Sequence, residues 1–163
     1  MFLYHGSTVE IKEIDLTLSK PNKDFGRGFY LSDNFRQAYE MATYKAGLFG
    51  TEPYVIKFEF DESLLKNGSL KVLSFSEYSK EWAEFVFKNR NQENQDFSHD
   101  YDIVIGPIAN DRVGVQIRRF VEGDISFDTF LERLKYMKGI TFQYFFGTQK
   151  AIQALQNKGL CHE

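Results

Sequence analysis

Apolar and polar positions follow two rhythms along the chain. Residues 54–60 (YVIKFEF) alternate apolar and charged side chains at their far end, the period of two expected of a half-buried strand. Residues 70–75 are shorter and similar, residues 2–4 form a brief apolar opening, and residues 28–32 (GFYLS) follow a glycine-rich turn. Residues 101–105 (YDIVI) and 140–146 (ITFQYFF) are rich in β-branched and aromatic residues, which suit a pleated surface. Between these runs apolar residues recur at helical spacing. Ser32 or Asp33 can cap a helix through Phe35, Ala38, Met41 and Ala42 that ends near Gly47. Ser76 can cap a second with Trp82, Phe85 and Val86, and a third covers roughly residues 112–121. Ser126 precedes a fourth with Phe127, Phe130, Leu131, Leu134 and Met137. Thr148 opens a last one with Ala151, Ile152 and Leu155. Strands and helices mix without regular βαβ alternation, so the expected class is α+β and not a doubly wound parallel sheet.

The chain has 163 residues, and no Ser/Gly-rich linker, repeat or low-complexity tract divides it; a single domain over residues 1–163 is expected. Hydrophobic residues are 42% and aromatics 17%, too apolar for a disordered segment. No apolar run approaches a membrane span, and the opening MFLYHGSTVE lacks the basic and apolar regions of a signal peptide. Neither membrane association nor export is expected. The single Cys161 excludes an internal disulfide framework and fits a reducing cytoplasm, the expected location. A net charge of −3 gives no general attraction to nucleic acid or anionic lipid. Acids dominate residues 77–102, whereas Arg112, Arg118, Arg119, Arg133, Lys135 and Lys138 make a later stretch basic. These are two solvated helix faces, or the second is an anion or acceptor site.

Most familiar chemistries are excluded by what is missing. Three histidines and one cysteine, with no CxxC or HExxH spacing, give no expected metal site. The chain has no P-loop, no GxSxG elbow and no complete Rossmann glycine pattern. Three segments remain. In LYHGS, His5 directly follows a short apolar strand, and Gly6 lets backbone approach a ligand closely. In DFGRGFYLS, two glycines flank Arg27 before a strand that presents Tyr30 on one face and Phe29 and Leu31 on the other. In ITFQYFF, the polar Gln143 shares a side with Thr141 and Phe145. A buried amide is costly without partners, so Gln143 is either satisfied by backbone or faces a cleft. Taken singly, each segment also has an ordinary structural reading: a structural histidine, a turn with a core aromatic, a satisfied amide.

Taken together, the three segments resemble the ADP-ribosyltransferase superfamily, in its His-Tyr-Glu branch of poly(ADP-ribose) polymerase-like and diphtheria-toxin-like enzymes. The order is His5, then Tyr30 in a glycine-basic-glycine strand, then a polar residue on a late strand. YDIVIGPIANDRV and FQYFFGTQKAIQAL extend the resemblance to a bacterial family of uncharacterised proteins, some of them toxins of toxin–antitoxin pairs. The resemblance implies two small, mainly antiparallel sheets around an NAD cleft with flanking helices. It implies that His5 bonds the nicotinamide ribose, that the Gly6 backbone binds the carboxamide, and that Tyr30 lines the nicotinamide pocket. Ser32 would assist the carboxamide, Tyr39 would stack on nicotinamide, Arg27 would contact the diphosphate, and Ser7 and Gly28 would complete the cofactor set.

One position departs from that pattern: the branch carries Glu where this chain has Gln143. An amide oxygen can accept the same sugar hydroxyl but brings no negative charge to the oxocarbenium-like transition state. The resemblance implies single-unit transfer and not chain elongation, as in relatives that lack this Glu. Asn110, Asp111 and Arg112 form a second polar cluster that reads as a helix cap, as a source of the missing carboxylate from Asp111, or as a grip on the acceptor. The expected activity is NAD-dependent mono-ADP-ribosyl transfer to a protein or nucleic acid acceptor, with a possible antitoxin protein as partner. NAD glycohydrolysis and non-catalytic NAD or ADP-ribose binding stay open as alternatives.

Overall fold

The computed structural model describes residues 1–91, 93, 97–135 and 139–162. In chain order the elements are β1 (Phe2–Ser7), β2 (Phe29–Leu31), α1 (Phe35–Phe49), β3 (Tyr54–Phe60), β4 (Val72–Ser74), α2 (Lys80–Arg90) and β5 (Ile103–Pro107). They are followed by α3 (Asp111–Val121), α4 (Phe127–Leu134), β6 (Phe142–Phe146), α5 (Gln149–Gln153) and β7 (Leu155–Leu160). The architecture is α+β with two small sheets. One is antiparallel with the order β1-β3-β7, and the other has the order β2-β6-β5-β4, in which only β4 and β5 run parallel. A short bridge joins them: Tyr4 N donates to Ser32 O at 2.7 Å and Ser32 N to Tyr4 O at 2.9 Å.

Strand alternation builds two cores from the second sheet. Leu31, Ile103 and Phe146 face the first sheet and pack with Leu3, Ile56, Phe58 and Phe60 between the two. Their neighbours Val104 and Phe145 point the other way, onto Trp82, Val86, Val113 and Phe130 of α2, α3 and α4. Burying each large apolar side chain contributes about 1.5–3 kcal/mol, so a one-residue slip of β5 or β6 would cost both cores at once. Tyr30 and Gln143 follow this rule: both lie on the helix side of their strands, Tyr30 opposite Phe145 and Gln143 opposite Gly106.

On the first sheet, α1 packs against β1 and β3 through Ala38, Ala42 and Ala46. The helix lies so near β1 that a Cβ on Gly6 would collide with the Ala38 carbonyl. The close approach turns one flank of α1 toward the junction of the two sheets.

Several boundaries differ from those read in the sequence. β1 runs on through His5, Gly6 and Ser7 because its whole length pairs with β3, so His5 lies inside a strand and not just past one. Asn34, not Ser32 or Asp33, caps α1, which passes Gly47 and stops at Gly50, where φ is +64°. Ser79, not Ser76, caps α2. Leu155 opens β7, an edge strand of largely exposed polar residues that sequence patterning missed. Met137, expected at the end of the fourth helix, and Lys138 of the basic stretch lie outside the described residues. Among the described residues no helix is long and apolar enough to cross a membrane.

Candidate functional site

Where the two sheets meet α1, a cleft of about 410 Å³ opens. His5 and Gly6 of β1, Tyr30 of β2 with Ser32 just beyond it, and Gln143 of β6 all line it. The three sequence segments thus converge. α1 contributes Gln37, Ala38, Met41 and Lys45, and the segment after β5 contributes Ile108 and Ala109.

Strand alternation puts His5 on the face of β1 that carries Leu3, where its ring stacks on Phe29 at 4.2 Å. Its Nδ1 lies 2.7 Å from the Tyr30 carbonyl, which can only accept, so Nδ1 carries the proton and Nε2 keeps a free lone pair. Burial first, then the positive charges of Lys45 and Lys23, lower its pKa to about 4. His5 is therefore a neutral acceptor at physiological pH.

Tyr30 has a committed hydroxyl. It donates to Gly26 O at 2.6 Å and accepts from Phe25 N at 3.0 Å. Burial raises its pKa far above the ordinary phenol value. The hydroxyl pins the turn in which Gly26 adopts φ +89°, a conformation that suits glycine. What Tyr30 offers the cleft is its ring face, with Lys23 Nζ 5.0 Å from the centroid.

Gln143 is only 9% exposed, and its amide is satisfied by a carboxylate as well as by backbone. Nε2 donates to Asp24 Oδ2 at 2.7 Å and points its other hydrogen toward Pro107 O at 3.5 Å. Asp24, 7% exposed, also lines the cleft. Its Oδ2 accepts a second bond from Ala109 N at 2.8 Å, and its Oδ1 lies 2.8 Å from Arg90 Nε. Arg90 is clamped in turn by a 2.9 Å bond from Nη2 to Ala109 O. Asp24 and Arg90 were missed in the sequence. Asp24 stands at the head of DFGRGFYLS, but nothing local marks it as a partner of a residue on a strand so much later.

Lys23 and Lys45 supply positive charge at the same cleft. Lys45 Nζ donates to Gly6 O at 3.2 Å, and neither lysine has a carboxylate within salt-bridge distance among the described residues. Burial lowers the pKa of both; Lys20 repels each of them, and Lys45 adds to the effect on Lys23. Two uncompensated ammonium groups beside a neutral acceptor suit a ligand with both anionic and hydroxyl groups.

The other expected site residues lie elsewhere. Ser7 is buried, and its hydroxyl accepts from Val9 N. Gly28 binds back to Ser19, whose hydroxyl accepts from Gly28 N and donates to Gly28 O. Arg27 lines a separate hollow with Asn89, His99 and Tyr101, and the cations at the cleft are Lys23, Lys45 and the Asp24-paired Arg90 instead. Tyr39 stacks on Phe35 beside a different surface hollow, because the turn of α1 brings Met41 and Lys45 to the cleft in its place. Asn110 caps α3 through Val113 N, and Asp111 and Arg112 are exposed in its first turn. Only their neighbour Ala109 reaches the cleft, and the carboxylate found there is Asp24, not Asp111.

Among the described residues no group of three or more His, Cys, Asp or Glu is placed to hold a metal ion. The cleft presents the Tyr30 ring with Lys23 over it, hydroxyl acceptors at His5 Nε2 and Gln143 Oε1, and positive charge at Lys23 and Lys45. No curated protein matches the chain. Residues 1–157 match the model of DUF3990, a family of proteins of unknown function, and the chain belongs to that family.

Proposed function

We propose that the chain is an NAD-dependent mono-ADP-ribosyltransferase, with the two-sheet architecture of that superfamily around its cleft. The observation that carries this reading is the convergence of His5, Tyr30 and Gln143, from three distant segments, on one cleft that also holds Lys23 and Lys45. The nicotinamide, ribose and diphosphate groups of NAD each find a partner of fitting chemistry in the cleft. The nicotinamide ring lies against Tyr30, ribose hydroxyls donate to His5 Nε2 and Gln143 Oε1, and the diphosphate meets Lys23 and Lys45.

In the reaction the bond between nicotinamide nitrogen and ribose C1′ breaks. Its electron pair leaves with neutral nicotinamide, and the sugar becomes oxocarbenium-like. Acceptor dipoles fixed before reaction stabilise that charge without reorganising. A nucleophile on the acceptor then attacks C1′ and gives up its proton to solvent. The acceptor is a protein or a nucleic acid in the cytoplasm, and as a toxin the enzyme would need an antitoxin protein to restrain it.

Purified protein incubated with labelled NAD and cell lysate tests the reading. Free nicotinamide together with labelled macromolecule is the expected result. Nicotinamide with label only in free ADP-ribose would replace transfer by NAD glycohydrolysis. Binding without cleavage would make the chain an NAD or ADP-ribose binding module, a reading favoured by the amide at Gln143. NAD should also raise the melting temperature where ATP does not.

A further inference from the structure

The amide of Gln143 sits in front of a carboxylate, and the hydrogen bonds determine which way it points. A carboxylate oxygen can only accept, so the atom 2.7 Å from Asp24 Oδ2 must be Nε2. The second amide hydrogen is aimed at Pro107 O, which leaves Oε1 as the atom free for a ligand. Besides Gln143, the Asp24 carboxylate is held by Ala109 N and by the clamped Arg90, and the turn that follows it is closed by the Tyr30 hydroxyl. Such a fully partnered carboxylate cannot swing out to touch a ligand. It can orient and polarise the amide before it.

The geometry points to Asp24 as the positioning carboxylate of this cleft. Acting through Gln143, it holds Oε1 toward the ligand and lends the neutral amide part of a carboxylate's negative character. The inference rests on the transferase reading for its kinetics, but the pairing of the two side chains is testable without it. It also reverses the simplest expectation for position 143. A carboxylate there would face a second one across a hydrogen-bond distance: with both ionised the two repel and the contact opens, and a proton shared between them restores it. Gln143→Glu is therefore expected to lose activity near neutral pH and to recover it as the pH falls.

The test is a double-substitution cycle measured on nicotinamide release from NAD, with an amide signal as a second readout. Asp24→Asn should lower kcat about tenfold or more, with KM for NAD changed far less. In a Gln143→Ala background the same Asp24→Asn change should leave the residual kcat within about twofold, because a residue that acts only through another has nothing left to act on. Independent, multiplying effects would reduce Asp24 to a structural ion pair with Arg90 and overturn the proposal. An unchanged kcat in Asp24→Asn would overturn it as well. Should Asp24→Asn fold poorly, Gln143→Glu carries the kinetic test, and a neutral-pH rate equal to the parent's would count against the pairing. By NMR, the Gln143 side-chain amide should show one hydrogen shifted strongly downfield in the parent, and this shift should collapse in Asp24→Asn while the rest of the spectrum is kept. If the parent neither binds nor cleaves NAD, the transferase reading fails and the amide signal still decides whether Asp24 holds Gln143. An unshifted amide in a folded, active parent would sink the positioning role alone.

Discussion

Two buried carboxylates mark the two ends of β5, and they do opposite things. Asp102, just before the strand, accepts from Lys71 N at 2.7 Å and from Thr148 Oγ1 at 2.6 Å. Its partners are a backbone amide and the hydroxyl that caps α5, so it ties β4, β5 and α5 together. Among the described residues none of its hydrogen bonds involves a residue of the cleft. Asp24 meets the other end at Ala109, and its partners include Arg90 and a glutamine amide whose oxygen remains free. Both are about equally buried, so burial alone does not separate function from structure. The separating feature is a partner whose far side faces open space.

Removing each carboxylate is the strongest way to break the comparison. Asp24→Ala strands the half-buried Arg90 and should cost about 3 kcal/mol of stability, with nicotinamide release falling further than unfolding explains. Asp102→Ala leaves a backbone N–H and a hydroxyl unpaired and should cost about 2 kcal/mol. Its folded fraction should release nicotinamide at the parental rate. Urea unfolding followed by turnover of the folded protein measures both, and a turnover defect of equal depth in the two variants would erase the distinction.

Acid stability tests the cleft end through His5, whose pKa falls from 6.5 to about 4 on folding. The unfolded chain binds this proton more readily than the folded one. The stability tied to neutral His5 is therefore intact above pH 6.5 and lost as the pH falls toward 4, by about 3 kcal/mol in all. His5→Gln should lack that part of the slope while losing activity. A slope unchanged by the substitution would mean that His5 is not the neutral acceptor described.

Smaller effects sharpen the contrast between the cleft and the neighbouring hollow. Lys45→Ala and Lys23→Ala should each weaken NAD binding by about 1 kcal/mol, less at high salt, as calorimetry can measure. Arg27→Ala, on the other hollow, should leave the affinity at the parental value, and a larger loss there than at the lysines would move the anionic groups out of the cleft. The smallest change is Tyr30→Phe. It keeps the ring but frees Phe25 N and Gly26 O, with an expected cost of about 1 kcal/mol in chemical denaturation.

His5, Tyr30 and Gln143 were legible as cleft residues only together, through the order of their three segments along the chain, since each alone reads as ordinary structure. The lysines were not, because Lys23 reads as an ordinary turn residue and Lys45 as a solvated helix position. The resemblance put Tyr39 at the cleft, yet α1 docks through Ala38, Ala42 and Ala46, and that face brings Met41 there instead. β7 left no periodic signal, since an edge strand of exposed polar residues buries too little to impose one.

The sequence by itself determined the mix of elements, the alternation that sends Phe145 and Phe146 to different cores, and the caps at Ser126 and Thr148. These depend on neighbours within a few residues, where pattern and local hydrogen bonding act. Only the tertiary structure decided that Asp24 stands behind Gln143, that Arg90 clamps Asp24, and that Lys23 and Lys45 face the same opening as His5. Those contacts join the turn before β2 to α2, to α1 and to β6. A buried charge is settled by whichever partners the packed chain brings within hydrogen-bond reach, and no local pattern encodes that meeting.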